Sequence, residues 1–159
     1  MRYRRISVGV GLLGLLAVLG SVALYPQTAV TPAIPFGASY LTTIKDSTGA
    51  FASRSVIALH ADHTISVIDS GQVQTGLQFS SQLGTWGRSE QGLIGRTIDF
   101  TYVPGPTSIA RGDYTFKFGP GGEVSGTIAL YSFPLQADPQ GSGGTLIGTF
   151  TFVGQQVLP

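Results

Sequence analysis

The sequence predicts an all-β fold, an eight-stranded antiparallel up-and-down barrel preceded by an N-terminal signal or anchor helix. First, apolar and polar residues alternate with a period of two along residues 37–159, where no helical period of useful length appears. Second, short turns rich in Gly, Pro, Asp and Ser, such as 46–49 and 119–122, separate the alternating segments. Third, an uncharged apolar run at residues 6–24 precedes the alternating region.

The first 25 residues have the composition of a targeting segment. Arg2, Arg4 and Arg5 give it a positively charged start, and the apolar run 6–24 follows. Small residues before a cleavage position after Ala23 favour a signal peptide, whereas the length of the run suits an uncleaved membrane anchor. Both interpretations remain open. They predict a protein that is secreted or periplasmic, or one that is anchored to the inner membrane by this segment alone.

Residues 26–36 contain three prolines, which fix φ and remove backbone donors, so they predict an extended linker before a barrel domain at 37–159. Most connections are of hairpin length, except the loops predicted at 70–78 and 136–144. Closing eight strands into a barrel leaves no unpaired edge. A two-sheet sandwich and an outer-membrane barrel with its apolar face outward are the alternatives. The predicted strands are 38–45, 50–60, 63–69, 79–88, 92–103, 109–118, 122–135 and 145–157.

In the second half of the domain, one face of each predicted strand is apolar and aromatic, and the other carries Thr and charged residues. Such alternation is typical of a sheet with one buried and one solvated side. We therefore expect the apolar set to face the barrel interior. This set comprises Ile94, Ile98, Phe100, Tyr102, Tyr114, Phe116, Phe118, Val124, Ile128, Leu130, Leu146, Phe150 and Phe152.

The net charge of +1 is due to the three N-terminal arginines, because the rest of the chain has six basic and eight acidic residues. Nucleic-acid binding needs clustered Lys and Arg to replace the counterions of the phosphates, and the sequence has no such cluster. The chain contains no cysteine. Disulfides, thiolate metal sites and thiol nucleophiles are therefore excluded, and the barrel depends on packing and sheet hydrogen bonds.

Two short stretches, Gly-Asp-Tyr-Thr-Phe at 112–116 and Gly-Gly-Glu-Val-Ser-Gly-Thr at 121–127, form a hairpin pattern around a glycine turn. This pattern resembles the small bacterial calycin-like barrels of the allene oxide cyclase and dirigent superfamily, over the C-terminal half of the chain only. Members of that superfamily form eight-stranded barrels around a hydrophobic cavity, and several guide the cyclisation or coupling of apolar small molecules. The resemblance therefore implies a barrel with a cavity. No catalytic residue is carried over, because none of the plant enzymes' catalytic set lies at a matching position.

The candidates for ligand contact are side chains expected to line the interior. Arg96 lies on the predicted apolar face, where it could bind a carboxylate or enolate, or instead pair with a carboxylate such as Glu90. Trp86 is either a plug of the barrel core or a wall of the pocket. The cavity candidates are Tyr40, Trp86, Arg96, Phe100, Tyr102, Tyr114, Phe116 and Phe150.

The segment His60-Ala61-Asp62-His63 is the only cluster with the composition of a metal site. Its residues straddle a predicted tight turn, and successive strand residues point to opposite faces, so the two histidines would converge only in an irregular turn. We interpret it as a polar hairpin turn. No metal or cofactor is expected, and no Gly-x-Ser-x-Gly motif indicates a hydrolase.

These observations lead to three hypotheses of function. The first is an exported barrel that binds a small apolar or aromatic molecule in its interior, with glycines at 95, 112, 126 and 148 leaving unfilled space. The second is a cofactor-independent cyclase or isomerase. The third is a packed structural or interaction barrel. The sequence indicates neither the oligomeric state nor the identity of the ligand.

Overall fold

The computed structural model describes residues 37–90 and 92–159 as ten strands and one short 3-10 turn at Pro120–Gly122. The predicted signal or anchor segment (1–25) and linker (26–36) lie outside the described residues. Within the described ranges, no helix combines the length and apolar character needed to cross a membrane. The strands are β1 (Ala38–Lys45), β2 (Phe51–Leu59), β3 (Thr64–Asp69), β4 (Val73–Gln74), β5 (Leu77–Phe79), β6 (Gln82–Ser89), β7 (Gly92–Val103), β8 (Ser108–Phe118), β9 (Glu123–Pro134) and β10 (Thr145–Gln156).

Eight of these strands close into an antiparallel barrel, which confirms the predicted architecture. Hydrogen-bonded neighbours follow the order β1, β2, β3, β6, β7, β8, β9 and β10, and β10 pairs with β1 to close the ring. The short β4–β5 hairpin lies between β3 and β6, in the segment predicted as a loop. Its second strand, β5, pairs with the C-terminal part of β7, beyond the part that pairs with β6. There, Gln78 stands opposite Val103.

One end of the barrel, which we call the packed end, is filled by apolar and aromatic side chains near the β2–β3, β6–β7 and β8–β9 turns. Phe116 is central to this core and is 1 % exposed. Its ring stacks with that of Phe118 at 6.4 Å between centroids and meets Phe152 edge-on at 5.4 Å. Offset and edge-on contacts of this kind add to the stabilisation that burial of the rings provides.

Glycines on the strands make room for these rings. A Cβ atom at Gly126 would lie 2.6 Å from the ring of Phe152, and one at Gly95 would lie 3.3 Å from the ring of Phe116. The same filling occurs at Gly112 beside Tyr114 and at Gly148 beside Phe150. The expectation that these four glycines leave empty space was therefore wrong, because aromatic neighbours occupy the volume that the missing side chains release.

Strand β7 turns the opposite face inward from the one predicted. Directly opposed residues share a face of the sheet, and the buried Tyr114 of β8 stands opposite Gly95. Odd-numbered residues of β7 therefore point into the barrel. The expectation that the apolar face is buried was wrong here, because the part of β7 beside the cavity contributes Asp99 and Thr101 to an otherwise largely apolar lining. The outward residues are Ile94, Ile98, Phe100 and Tyr102.

Strands β8 and β9 present their apolar faces inward as predicted, with Phe116 and Val124 buried on neighbouring strands. In β10 the register shifts at a bulge between Leu146 and Gly148. Leu146 is 52 % exposed, contrary to the predicted alternation, whereas Phe152 further along the strand is buried. A bulge inserts an extra residue and so reverses the facing of every side chain before it.

Candidate ligand-binding site

The half of the barrel opposite the packed end contains a cavity of about 400 Å³. It lies near the β1–β2, β3–β6, β7–β8 and β9–β10 connections, and its volume is within the usual range for small-molecule sites. Its apolar lining is Ile44, Ala52, Leu77, Phe79, Pro104, Ala110, Ile128, Leu130, Ile147 and Phe150. Its polar lining is Ser53, Ser55, Asp69, Gln74, Gln82, Asp99, Thr101, Ser108, Tyr114 and Ser132.

Gln82, at the start of β6, organises the polar side chains between the cavity and the packed end. Its Oε1 atom accepts a hydrogen bond of 2.6 Å from the Tyr114 hydroxyl and another of 2.9 Å from Thr97 Oγ1. Because two donors point at Oε1, the amide nitrogen is on the other side of the group and needs an acceptor. Burial raises the pKa of Tyr114, so its hydroxyl stays protonated and donates.

Asp99 of β7 is the most unusual residue of the cavity wall. It is 5 % exposed, and its Oδ1 atom has no hydrogen-bond partner among the described residues. Burial raises the pKa of its carboxyl to about 7, and a hydrogen bond from the Gln82 side chain offsets part of that increase. Asp99 therefore exchanges a proton near neutral pH, next to an unfilled space.

Asp69, the second carboxyl group of the cavity, has several hydrogen-bond partners. Its Oδ2 atom accepts hydrogen bonds from the Ser53 hydroxyl, at 2.8 Å, and from the Ser55 hydroxyl. Its Oδ1 atom accepts one of 2.7 Å from the backbone N–H of Gly71, which starts the turn into the β4–β5 hairpin. Asp69 thus joins β2 to the chain that covers the cavity.

The structure distributes the predicted cavity residues over three places. Two line the cavity, Tyr114 and Phe150. Three belong to the core of the packed end, Tyr40, Trp86 and Phe116. Three lie on the outer surface of the barrel, Arg96, Phe100 and Tyr102.

Arg96 is on the outside because it belongs to the even-numbered face of β7. Its Nε atom is 2.6 Å from Oδ1 of Asp113, opposite it on β8, and its Nη1 donates to Gln140. The same carboxylate is 3.2 Å from Nε of Arg111, which is 8 % exposed. Arg96 therefore pairs with an outer-face carboxylate, and it is not placed to bind a ligand in the cavity.

The histidines of the His60-Ala61-Asp62-His63 segment form the β2–β3 turn at the packed end. The carbonyl oxygen of His60 accepts a hydrogen bond of 3.0 Å from Nε1 of Trp86, and the His63 ring stacks on that indole at 4.4 Å. His63 has φ of 69°, the left-handed conformation that tight turns use. Within the described ranges, no group of three His, Cys, Asp or Glu residues is arranged to hold a metal ion.

Gln82, Asp69 and Asp99 were not among the predicted site residues. Asp99 carried a usable signal, since it is the one acidic residue of the segment 92–103 and is flanked by threonines on its own face. That signal is recognisable only if the polar face of a strand is considered as a cavity wall. Asp69 ends the predicted strand 63–69 beside the predicted loop 70–78, and Gln82 lies within the predicted strand 79–88, for whose residues no facing was predicted.

No protein-family model, no curated protein and no solved structure matches this chain. The functional argument therefore depends on the geometry and electrostatics of the cavity.

Proposed function

We propose that this barrel binds one small, largely apolar molecule in the cavity, in contact with Tyr114 and Phe150. The observation that carries the proposal is the cavity of about 400 Å³ itself, which apolar side chains line together with the carboxyl groups of Asp69 and Asp99. A small molecule that fills the apolar space and donates a hydrogen bond to a wall carboxyl group would account for both features of the lining.

The distribution of packing supports a binding role over that of a packed structural or interaction barrel. Aromatic rings fill the packed end, but side chains leave the other half of the interior unfilled. Protein interiors are usually packed as densely as organic crystals. A cavity of this size is an exception to that density, and a bound ligand would explain it.

A cofactor-independent cyclase or isomerase is the second candidate, and one observation favours it. The pKa of Asp99, about 7, matches the requirement for proton transfer at neutral pH. The resemblance of segment 112–127 to the calycin-like barrels of the allene oxide cyclase and dirigent superfamily is in line with this proposal. Turnover of a ligand, as opposed to its recovery unchanged, distinguishes the enzyme from the carrier.

We further propose that the protein works outside the cytoplasm, either secreted or periplasmic or anchored through residues 6–24. The support is the sequence of the first 25 residues, which combines a basic start with an apolar run. The mass of the mature protein from membrane and soluble fractions tests this, because cleavage after Ala23 removes a defined peptide.

Binding is tested by titrating the purified protein with the neutral fluorophore N-phenyl-1-naphthylamine. We expect one saturable site, because an apolar cavity of this volume accommodates one small aromatic molecule. Ala110→Phe should abolish binding, since Ala110 is 4 % exposed and lines the cavity, so that a phenyl ring at this position would take up space that the ligand needs.

Ala58→Phe is the matched control, because Ala58 lies on the outer face of β2 between the inward residues Ile57 and Leu59. It adds the same ring outside the cavity and should leave binding unchanged. Absence of saturable binding in the folded wild type would remove the carrier and the cyclase proposals together. Equal binding by Ala110→Phe would place the fluorophore elsewhere and would also contradict them.

A further inference from the structure

The charges around the cavity restrict which ligands it can hold. Its titratable lining residues are Asp69 from β3, Asp99 from β7 and Tyr114 from β8. Among the described residues that line it, none is Lys, Arg or His. A carboxylate or phosphate entering this space would therefore lose its hydration and meet two carboxyl groups without a compensating cation.

The two carboxyl groups differ in what they can still accept. Both oxygens of Asp69 already accept hydrogen bonds, from Ser53 and Ser55 and from the Gly71 backbone. Asp99 is 5 % exposed, and its carboxyl group has only the Gln82 side chain as a donor, with Oδ1 lacking a partner among the described residues. The Asp99 carboxyl group lines the cavity and therefore has acceptor capacity left for a ligand donor.

We infer that the cavity selects a cationic ligand, an apolar molecule bearing a protonated amine whose N–H donates to the carboxyl group of Asp99. This inference rests on the proposed binding function and specifies its ligand class. An ammonium group has donors only, so one contact with the Asp99 carboxylate both forms a hydrogen bond and neutralises the buried charge. The apolar body of the ligand lies against Ile128, Leu130 and Phe150.

Selection of a cation also makes binding dependent on pH. The polar groups that share the cavity wall with Asp99 include Gln82 from β6, which is uncharged, Tyr114 from β8, whose raised pKa keeps it neutral, and Asp69 from β3. Because the pKa of Asp99 is about 7, a proton competes with the ammonium below that pH. Affinity for an amine should therefore rise from pH 6 to pH 8, while affinity for a neutral ligand should not.

The test uses three competitors that share one apolar body: adamantan-1-amine, adamantan-1-ol and adamantane-1-carboxylate. Each displaces N-phenyl-1-naphthylamine from the purified protein at pH 8. We expect the amine to bind about tenfold more tightly than the alcohol, since a hydrogen bond to a charged group exceeds a neutral one by about one factor of ten in affinity. The carboxylate should be the weakest of the three.

Asp99→Asn should reduce the affinity of the amine to that of the alcohol. Asp62→Asn is the charge-matched control, because Asp62 is in the exposed β2–β3 turn at the packed end. If Asp99→Asn does not fold, the ratio of amine to alcohol affinity in the wild type between pH 6 and pH 8 decides, and it should increase with pH.

The result separates this inference from the proposed function. If the fluorophore binds but the alcohol or the carboxylate competes as well as the amine, the ligand class is wrong and the binding function stands. An amine preference that survives Asp99→Asn, or that is independent of pH, would also overturn the role of Asp99. If neither the fluorophore nor any competitor binds the folded protein, the binding function fails and the ligand class with it.

Discussion

The hydroxyl oxygen of Tyr114 lies 2.6 Å from Oε1 of Gln82, and both residues line the cavity. Thr97 donates to the same oxygen atom, so Oε1 is occupied on the side that faces the packed end. The amide nitrogen is left to donate toward Asp99. One glutamine therefore connects the packed half of the barrel with the cavity half.

Asp99 should make the barrel less stable as the pH rises. Its pKa is about 7 in the folded protein and 3.8 in the reference state, so the folded form binds the extra proton between these values. The stabilisation is fully present below pH 3.8 and is lost as the pH rises through 7, a change on the order of 4 kcal/mol. Asp99→Asn removes this dependence and should be more stable than wild type at pH 8.

Urea unfolding of both proteins at pH 5, 6, 7 and 8 provides the measurement. The difference in the free energy of unfolding between wild type and Asp99→Asn cancels the contributions of the other carboxyl groups. Asp46 and Asp62 also have lowered pKa values, which confine their effects on stability to lower pH. A constant difference in the free energy of unfolding across this range would show that Asp99 does not titrate there.

Tyr40→Phe should stabilise the protein. The Tyr40 side chain is fully buried, its hydroxyl has no hydrogen-bond partner among the described residues, and burial raises its pKa to about 12. Removal of an unpaired buried hydroxyl relieves a cost of about 1–3 kcal/mol. Tyr114→Phe is the opposite case, because it leaves Gln82 with one donor fewer, and it should lose about 1 kcal/mol. Thermal and urea unfolding compare the pair, and destabilisation by Tyr40→Phe would mean that its hydroxyl has a partner.

Arg111→Lys should destabilise the protein by about 2 kcal/mol or more, because the guanidinium holds the β9–β10 connection from the outer face of β8. Its Nη1 atom donates to the carbonyl oxygens of Pro139 and Gly141, both at 2.8 Å. Its carbon Cζ lies 4.6 Å from the ring centroid of Tyr131. A lysine keeps the charge but cannot keep this geometry.

Arg96→Lys is the matched control for that substitution. The Arg96 side chain is 41 % exposed, and an exposed ion pair contributes at most about 1 kcal/mol. Limited proteolysis of the two variants should show faster cleavage within residues 135–144 for Arg111→Lys alone. Equal stability of the two variants would mean that the connection does not depend on Arg111.

Trp86 should be insensitive to the ligand. Its indole is 4 % exposed at the packed end, stacked on His63, and it does not line the cavity. Saturation with adamantan-1-ol, which has no ultraviolet chromophore, should therefore leave the Trp86 emission maximum unchanged. His63→Ala is the positive control. It removes the ring stacked on the indole and should therefore shift the emission maximum of Trp86. A saturable shift with the alcohol in the wild type would place the ligand at the packed end.

The barrel itself could be predicted from the sequence, since period-two alternation and short turns can be recognised from residues that are close together in the chain. Strands β8 and β9 were also predicted with the correct facing, because Phe116 and Val124 occupy the packed end, where the interior is apolar. The rule that the apolar face of a strand is buried holds at the packed end, where side chains fill the interior.

The cavity could not be predicted in the same way. Phe100 lies outside and Asp99 inside because this part of β7 contributes its polar face to the cavity lining, and no local pattern distinguishes such a face from a solvated one. The glycine at 126 shows the second difficulty. Its missing side chain is compensated by Phe152 on the next strand, and such cross-strand complementarity appears only once the register is known.

The pairing of β1 with β10 joins residues more than one hundred positions apart, such as Tyr40 and Gln156. Every other pair in the ring links strands that are close in sequence, so those hairpins can form as soon as both strands have been synthesised. Strand β1 cannot complete its pairing until β10 has been synthesised. The conformational entropy that the chain loses when this long loop closes is therefore lost in one late step. Until then the chain is an open sheet with two free edges and an accessible apolar face. The newly made chain, and not the closed barrel, is therefore the form most prone to aggregate.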